Sequence, residues 1–578
     1  MLYIYMSSSP RTAIDRILAA GSALLALLLL NLPLSLYVWA PVGRPWLVLV
    51  PLVESVVMLW IAWLVSRPSL QSRTRRIATA VGGALYGILI GFAAAETFFR
   101  FYFARAFRPR GDIGMIRGAL LLFFGDIGTL ADVLAPIATA LLFAALMALG
   151  IAALIGVRRL LRPAGATALS PALLTVLVVP LMLAVGLPRS LTGLTAGALV
   201  PSENQAFVEI DVDGVRRASL AGADGENAGG APVVQPRTDY TFPGLKDRDV
   251  YFFAIEAYGY ASVIRPHLAG RIDPHRERLA EVLAANGYGV RSSFLESPVA
   301  GGYSWLAEAT MLTGQWIDSQ ERFLQLYDQS LPSLSGMLHD GGYYTLTVRP
   351  GTVHGEWPEG WDIFRFQESI LAHGDGFSYR GPWFSYVPVT DQYALWFGEQ
   401  RVRELIAPNG PAADRPLFAY YQLVSSHTPF NRIPPIIDPW SDLGDGSVYV
   451  ERRDEIRTFD NTWTGGTELE EGYAAAIGYV FDVLSEYVEE VMADDRDPIL
   501  VFYGDHQAQR PIRSPDAFLS VPIHVASRDE GVLSLFKHWG FQPGMKSDES
   551  PPHRRMDQFF PMFAELAATP IDAASIIR

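Results

Sequence analysis

The first 200 residues set the strongest limit on what this chain can fold into. They hold 16 arginines, no lysine and 6 acidic residues, spread among long apolar stretches. A helix that crosses a bilayer needs ~20 largely apolar residues. Five stretches meet that length, at about 17–39, 46–66, 77–97, 129–153 and 170–188. This apolar portion excludes a wholly water-soluble protein. The remaining 378 residues carry 30 basic and 54 acidic side chains, so the two portions bear +10 and −24, which sum to the −14 of the whole chain. Opposite charge balance and opposite hydropathy imply two different environments.

With a cytoplasmic N-terminus, the loops after the second and fourth spans lie inside. These carry Arg67, Arg73, Arg75 and Arg76, then Arg158, Arg159 and Arg162, as the excess of positive charge in cytoplasmic loops requires. The acidic portion then lies outside. Basic usage dominated by arginine points to a bacterial genome of high GC content, and the expected location is the bacterial inner membrane with the large domain periplasmic or extracellular. The segment with Arg100, Arg105, Arg108, Arg110 and Arg117 falls outside in this arrangement. It reads either as an interfacial segment that meets anionic headgroups or as a sixth span. Glu54 and Glu96 sit in or at the edges of spans, where a carboxylate is costly and either serves function or pairs with arginine.

The expected plan is a transmembrane domain of about five helices over 1–190, a linker over 191–247 and an outer domain over 248–578. The linker contains the Gly/Ala/Pro-rich stretch Ala221 to Pro236. An acidic outer domain would repel phosphate backbones, so nucleic acid is not an expected partner. The absence of cysteine excludes disulfides, thiolate metal sites and a cysteine nucleophile.

In the outer domain the apolar run Val250 to Ile255 reads as a strand buried on both faces, as in parallel sheets. Helical patterns follow at 274–286, 304–313, 330–339 and about 468–492, and extended ones at 287–294, 343–348, 417–424 and 498–503. This alternation predicts an α/β fold with a mainly parallel sheet. Ligands in such sheets bind beyond the carboxyl ends of the strands.

Three polar groups lie there: Glu256, His427 in Ser425-Ser-His-Thr-Pro-Phe430, and Asp505 with His506 in Tyr503-Gly-Asp-His506. Ser304 opens a predicted helix after Gly301 and Gly302. Glu256, Asp505 and His506, with the Ser304 hydroxyl, form a set that suits one divalent cation, Mn²⁺ or Zn²⁺. The cation would lower the pKa of that hydroxyl and neutralise a phosphoryl group, while His427 would position or protonate an oxygen of the substrate. Taken singly, Glu256 and Ser304 are also ordinary helix-capping residues.

With these residues in view, the chain resembles the membrane-anchored, sulfatase-like phosphotransferases of the alkaline phosphatase superfamily, in particular the lipoteichoic acid synthase and phosphoglycerol transferase group. The resemblance rests on Phe253-Ala-Ile-Glu-Ala-Tyr-Gly259, Gly302-Tyr-Ser-Trp-Leu-Ala-Glu308, His427-Thr-Pro-Phe430 and Tyr503-Gly-Asp-His506. It implies a sulfatase-like outer domain, Mn²⁺ as the metal and Ser304 as nucleophile in place of the family's threonine. Arg349, Glu356 and Trp357 loosely match a substrate-contacting segment. The implied reaction moves a phosphoglycerol-type headgroup from a membrane phospholipid at the bilayer to a glycan or lipid acceptor. A hydrolase using the same site and a non-catalytic lipid sensor are the alternatives.

Overall fold

The structure, a computed structural model, describes residues 21–22, 24–34, 53–67, 70–103, 107, 129–161 and 242–570, the last range without 330, 354–356, 374–375, 386, 463–464, 493–495, 514–518 and 547–552. The chain divides into two compact units, Met1–Ala228 and Gly229–Arg578.

The first unit is helical: α1 (Leu24–Leu34), α2 (Val53–Ser66), α3 (Ser72–Phe103) and α4 (Thr129–Leu161). Within α3 and α4, Ser72–Phe99 and Pro136–Arg159 are long and apolar enough to cross a bilayer. The 14 residues of α2 rise only about 21 Å, short of a ~30 Å hydrocarbon core. Two of the five expected spans thus reach full length among the described residues. The stretch at 170–188 and most of the arginine-rich 100–117 segment lie outside them. Both long helices run past their expected ends, α3 beginning ahead of Arg73 and α4 continuing through Arg158 and Arg159. Glycines bring the two together, since a Cβ at Gly87 would strike the Leu146 carbonyl and one at Gly150 would strike that of Gly83. Of the two acidic residues singled out in this unit, Glu96 accepts a hydrogen bond from the Phe107 N–H at 2.8 Å.

The second unit is built on a nine-stranded mixed sheet. Its strands are β1 (Val250–Ile255), β2 (Gly289–Glu296), β3 (Tyr344–Arg349), β4 (Glu368–Leu371), β5 (Leu417–Leu423), β6 (Ile499–Gly504), β7 (Ser520–Ser527), β8 (Gln542–Pro543) and β9 (Arg554–Arg555). The order is β8-β2-β7-β6-β1-β5-β3-β4, with β9 beside β2. The five strands from β6 to β4 are mutually parallel, and β7 is antiparallel to both its neighbours. Every residue of β1, β5 and β6 except Gln422 is buried, as expected of parallel strands covered on both faces.

The packed helices include α5 (Pro266–Ala285), α6 (Ser304–Thr313), α7 (Gln320–Gln329), α8 (Leu334–Asp340), α9 (Asp391–Ile406), α10 (Leu469–Glu486), α11 (Glu530–His538) and α12 (Phe559–Ala568). Four departures from the sequence reading stand out. Helix α5 starts eight residues early and passes through Pro274, α9 and β7 were not foreseen, and the long helix expected over 468–492 closes at Glu486 into a wider turn at Tyr487–Val491.

Register fixes the functional end of the sheet. Ile255 pairs with Gly504 on one side and Leu423 on the other, so Glu256 and Asp505 occupy the next level beyond the strands. The turn containing His427 leaves from the same edge.

Candidate metal and nucleophile site

Glu256, Ser304, Asp505 and His506 meet at this carboxyl edge. The ligand atoms of Glu256, Asp505 and His506 all lie within 4.8 Å of one another, and all three residues are buried. The Ser304 hydroxyl donates to Glu256 Oε2 at 2.8 Å and lies 3.3 Å from His506 Nε2. His506 Nε2 is 3.1 Å from Glu256 Oε1 and 3.7 Å from Asp505 Oδ2.

Each group is held by backbone. Asp505 Oδ1 accepts the N–H groups of Ala257, at 2.9 Å, and of its own neighbour His506, at 2.6 Å, leaving Oδ2 toward the cluster. His506 Nδ1 lies 2.9 Å from the Gln507 carbonyl; with the proton on Nδ1, the lone pair of Nε2 faces the two carboxylates. The Ser304 loop is tied to the segment after His506, with Gly301 N–H donating to the Gln507 carbonyl at 2.7 Å.

Local strain marks the same places. Gly301, Gly302 and Tyr303 all have positive φ, at 74°, 140° and 70°. This sharp turn starts α6 at Ser304 and brings the positive end of the helix to the hydroxyl. Ala257, directly after Glu256, has φ 57°, and Phe430, closing the His427 turn, has φ 55°. Left-handed backbone at a non-glycine residue costs about 1–3 kcal/mol, and such costs gather at functional sites. The Tyr473 hydroxyl, donating to the Ala257 carbonyl at 2.9 Å, holds the first of these turns.

Burial pushes the Asp505 carboxyl up to about 7, with the Glu256 charge acting in the same sense. Burial also opposes ionisation of Glu256, yet the rings of His506 and His427 and the hydrogen bonds from His506 and Ser304 outweigh it and hold that carboxyl down at about 2. The imidazole of His506 rises to about 9, because the charges of Asp505 and Glu256 overcome its own burial. Among the described residues, no lysine or arginine lies within ion-pair distance of either carboxylate.

These features fit a divalent cation. Two buried carboxylate oxygens, one imidazole Nε2 oriented by a backbone acceptor and an adjacent hydroxyl make a mixed O/N set suited to Mn²⁺ or Zn²⁺. His427 stands beside this group, close enough for its charge to act on Glu256. Its Nδ1 lies 2.6 Å from the Thr428 carbonyl.

Arg349 and Trp357 stack together beside α6. Arg349 is buried, and its two terminal nitrogens bind both carboxylate oxygens of buried Glu308, while Nε contacts Thr352 Oγ1 at 3.4 Å. Trp357 covers the guanidinium at 4.0 Å. This ion pair anchors α6 one turn below Ser304. Residue Glu356 of the same segment lies outside the described residues.

Sequence reasoning missed the supports. Ser426 donates from Oγ to the Glu256 carbonyl at 2.6 Å, and Asp391 binds the strand end ahead of His427. The run Ser425-Ser-His427 was a signal for the first. Asp391 had none beyond a helix-start pattern.

Among solved structures, the chain is similar to a lipoteichoic acid synthase. That protein is LtaP from Listeria monocytogenes, at 16% identity over 59% of this chain and 77% of the other, with a TM-score of 0.34. The phosphoglycerol transferase GacH of Streptococcus pyogenes, in complex with sn-glycerol-1-phosphate, matches at 13% identity over 56% and 82%, TM-score 0.32. The phosphonate monoester hydrolase of Agrobacterium radiobacter matches at 12% identity over 55% and 73%, TM-score 0.34. No protein-family model and no curated protein sequence matches the chain.

Proposed function

We propose that the α/β unit is a metal-dependent phosphotransferase that moves a phosphoglycerol-type headgroup from a membrane phospholipid to a glycan or lipid acceptor. The observation that carries this reading is the convergence of the Ser304 hydroxyl on Glu256, Asp505 and His506 within one buried cluster.

Glu256, Asp505, His506 and Ser304 would hold the cation, which when bound neutralises negative charge at a phosphoryl centre and favours the ionised form of a nearby hydroxyl. Ser304 Oγ attacks phosphorus as its proton passes to solvent. The bond from phosphorus to the diacylglycerol oxygen breaks, and His427 supplies a proton to that oxygen. The acceptor hydroxyl then attacks the same phosphorus, giving its proton to the deprotonated His427, and the bond to Ser304 Oγ breaks as that oxygen regains a proton from solvent. The N-terminal end of α6 adds positive potential where the charge develops.

The two long apolar helices support a membrane-held enzyme, and the arginines in the loops after the second and fourth expected spans favour a catalytic unit on the outer face of a bacterial inner membrane. Attachment at the bilayer raises the effective concentration of lipid donor and of any membrane-borne acceptor.

The test is intact mass of the full-length protein after incubation with Mn²⁺ and phosphatidylglycerol, with peptide mapping. A glycerophosphate adduct on Ser304 that is absent from Ser304→Ala supports the proposal. Wild-type turnover by Ser304→Ala refutes it. Release of free glycerophosphate whatever the acceptor supplied marks a hydrolase, and a metal-loaded protein without turnover or adduct marks a lipid sensor.

A further inference from the structure

We infer that Asp391 is a positioning residue for His427. Asp391 is the first residue of α9 and is completely buried. An acidic residue there would ordinarily cap its own helix. That task falls instead to Thr390, whose hydroxyl accepts the Tyr393 N–H at 3.3 Å.

The Asp391 carboxylate turns to another segment. Its Oδ1 accepts the Val424 N–H at 2.7 Å and the Ser425 N–H at 3.1 Å, and Oδ2 accepts the Ser425 N–H at 3.1 Å. In return the Asp391 N–H donates to Ser425 Oγ at 2.9 Å. The clasp therefore seizes the chain at the end of β5, two residues ahead of His427.

From there the turn is short. His427 N–H donates to the Val424 carbonyl at 3.0 Å, so displacement of Val424 carries the imidazole with it. Among the described residues the turn is also tied by Ser426 Oγ to the Glu256 carbonyl, Gln509 Nε2 to Thr428 Oγ1 and Asn461 Nδ2 to the Phe430 carbonyl. Asp391 approaches from outside the strand ends that carry the metal-binding candidates.

The chemistry of the group argues against mere packing. Among the described residues no lysine, arginine or histidine lies within ion-pair distance of Asp391, and burying a carboxylate with neutral donors alone is costly. Burial pushes this carboxyl up to about 7, and in its ionised form its two oxygens accept both converging N–H groups. An asparagine at the same place would set an NH₂ against one of them. Glu256, Ser304, Asp505 and His506 receive no hydrogen bond from Asp391. What His427 does rests on the phosphotransferase reading, whereas where His427 sits does not.

The experiment compares full-length wild type, Asp391→Asn, His427→Ala and the double variant. Ser425→Ala, which removes the acceptor of the Asp391 N–H and the hydroxyl that bonds the carboxylate but keeps both backbone N–H donors, serves as a milder perturbation should Asp391→Asn fail to fold. The placement is read without turnover, from the rate at which diethyl pyrocarbonate modifies His427, followed by peptide mass spectrometry. Mn²⁺ affinity by calorimetry and phosphatidylglycerol turnover complete the set. Asp391→Asn is expected to change the His427 modification rate several-fold and leave Mn²⁺ affinity close to wild type. It should cut turnover about 10- to 100-fold, the usual range for a residue supporting a site group, and add nothing to the loss in His427→Ala. An unchanged modification rate, or losses that multiply in the double variant, overturns the inference. If wild type itself turns nothing over, the phosphotransferase reading fails while the modification rate still decides the role of Asp391.

Discussion

Separating Arg349 from Glu308 should destabilise the α/β unit far more than a surface ion pair would. Both side chains are buried, and two nitrogens of one meet two oxygens of the other. Removing one partner leaves the other charge buried and unpaired, at a cost of about 3–5 kcal/mol. With a unit this large, about 2 °C per kcal/mol gives a fall in Tm of roughly 6–10 °C for Arg349→Met or Glu308→Gln. The double variant removes both charges and should recover most of that loss. It remains below wild type by about 1–2 kcal/mol because Trp357 loses the cation stacked on its face. Thermal unfolding of the full-length protein in detergent, read by tryptophan fluorescence, measures all four proteins. Single variants with wild-type Tm, or a double variant whose loss equals the sum of the singles, would refute the argument. So would an Arg349→Met protein of wild-type stability with a raised KM, which would assign Arg349 to substrate binding alone.

Cation binding should expel protons. At pH 7 the metal-free site carries a proton on His506, whose pKa is about 9, and a partial one on Asp505, at about 7. Titration calorimetry in buffers of different ionisation enthalpy should therefore show release of about one to one and a half protons per Mn²⁺, and affinity that rises with pH up to about 9. Both pKa values lie above those of the unfolded chain, so without metal the His506 contribution to stability is complete below about 6.5 and is lost as pH rises through 9. Proton-neutral binding would contradict this charge arrangement. In the first unit, Gly87→Val should separate α3 from α4 and lower the temperature at which the detergent-solubilised protein aggregates, because the obstructing atom is the backbone oxygen of Leu146. Unaltered aggregation would show that the two helices do not need this close approach.

The parts of the fold legible in the sequence are those set by local pattern. The run from Val250 to Ile255 announces a doubly buried strand, and two glycines ahead of Ser304 announce the turn that starts α6 at that residue. Pro274 misled, because proline favours a helix start, yet here it sits within α5. Strand β7 was hidden by Pro522 and His524, polar or helix-breaking types that burial converts to interior residues. His524 is accommodated by contacts to the Tyr258 hydroxyl at 3.0 Å and Ser292 Oγ at 2.6 Å. Helix α9 carries Gly398 at its centre, needed because a Cβ there would press on the Tyr421 ring. The site shows the same division. Glu256, Asp505 and His506 were readable because each ends an apolar strand. The Arg349 to Glu308 pair spans 41 residues, and no spacing rule could reveal it.

The order of strands across the sheet also bears on when metal can be acquired. Glu256 follows β1, the first strand of the sheet, whereas Asp505 and His506 follow β6, its sixth, which pairs directly with β1. More than 240 residues must emerge and fold between one ligand and the others. A nascent chain offers a passing ion a lone carboxylate, and the full set of donors exists only after the central pairing of β1 with β6. Which cation the site would take up is then decided by the ions available where folding finishes, and not by those present where the chain is made.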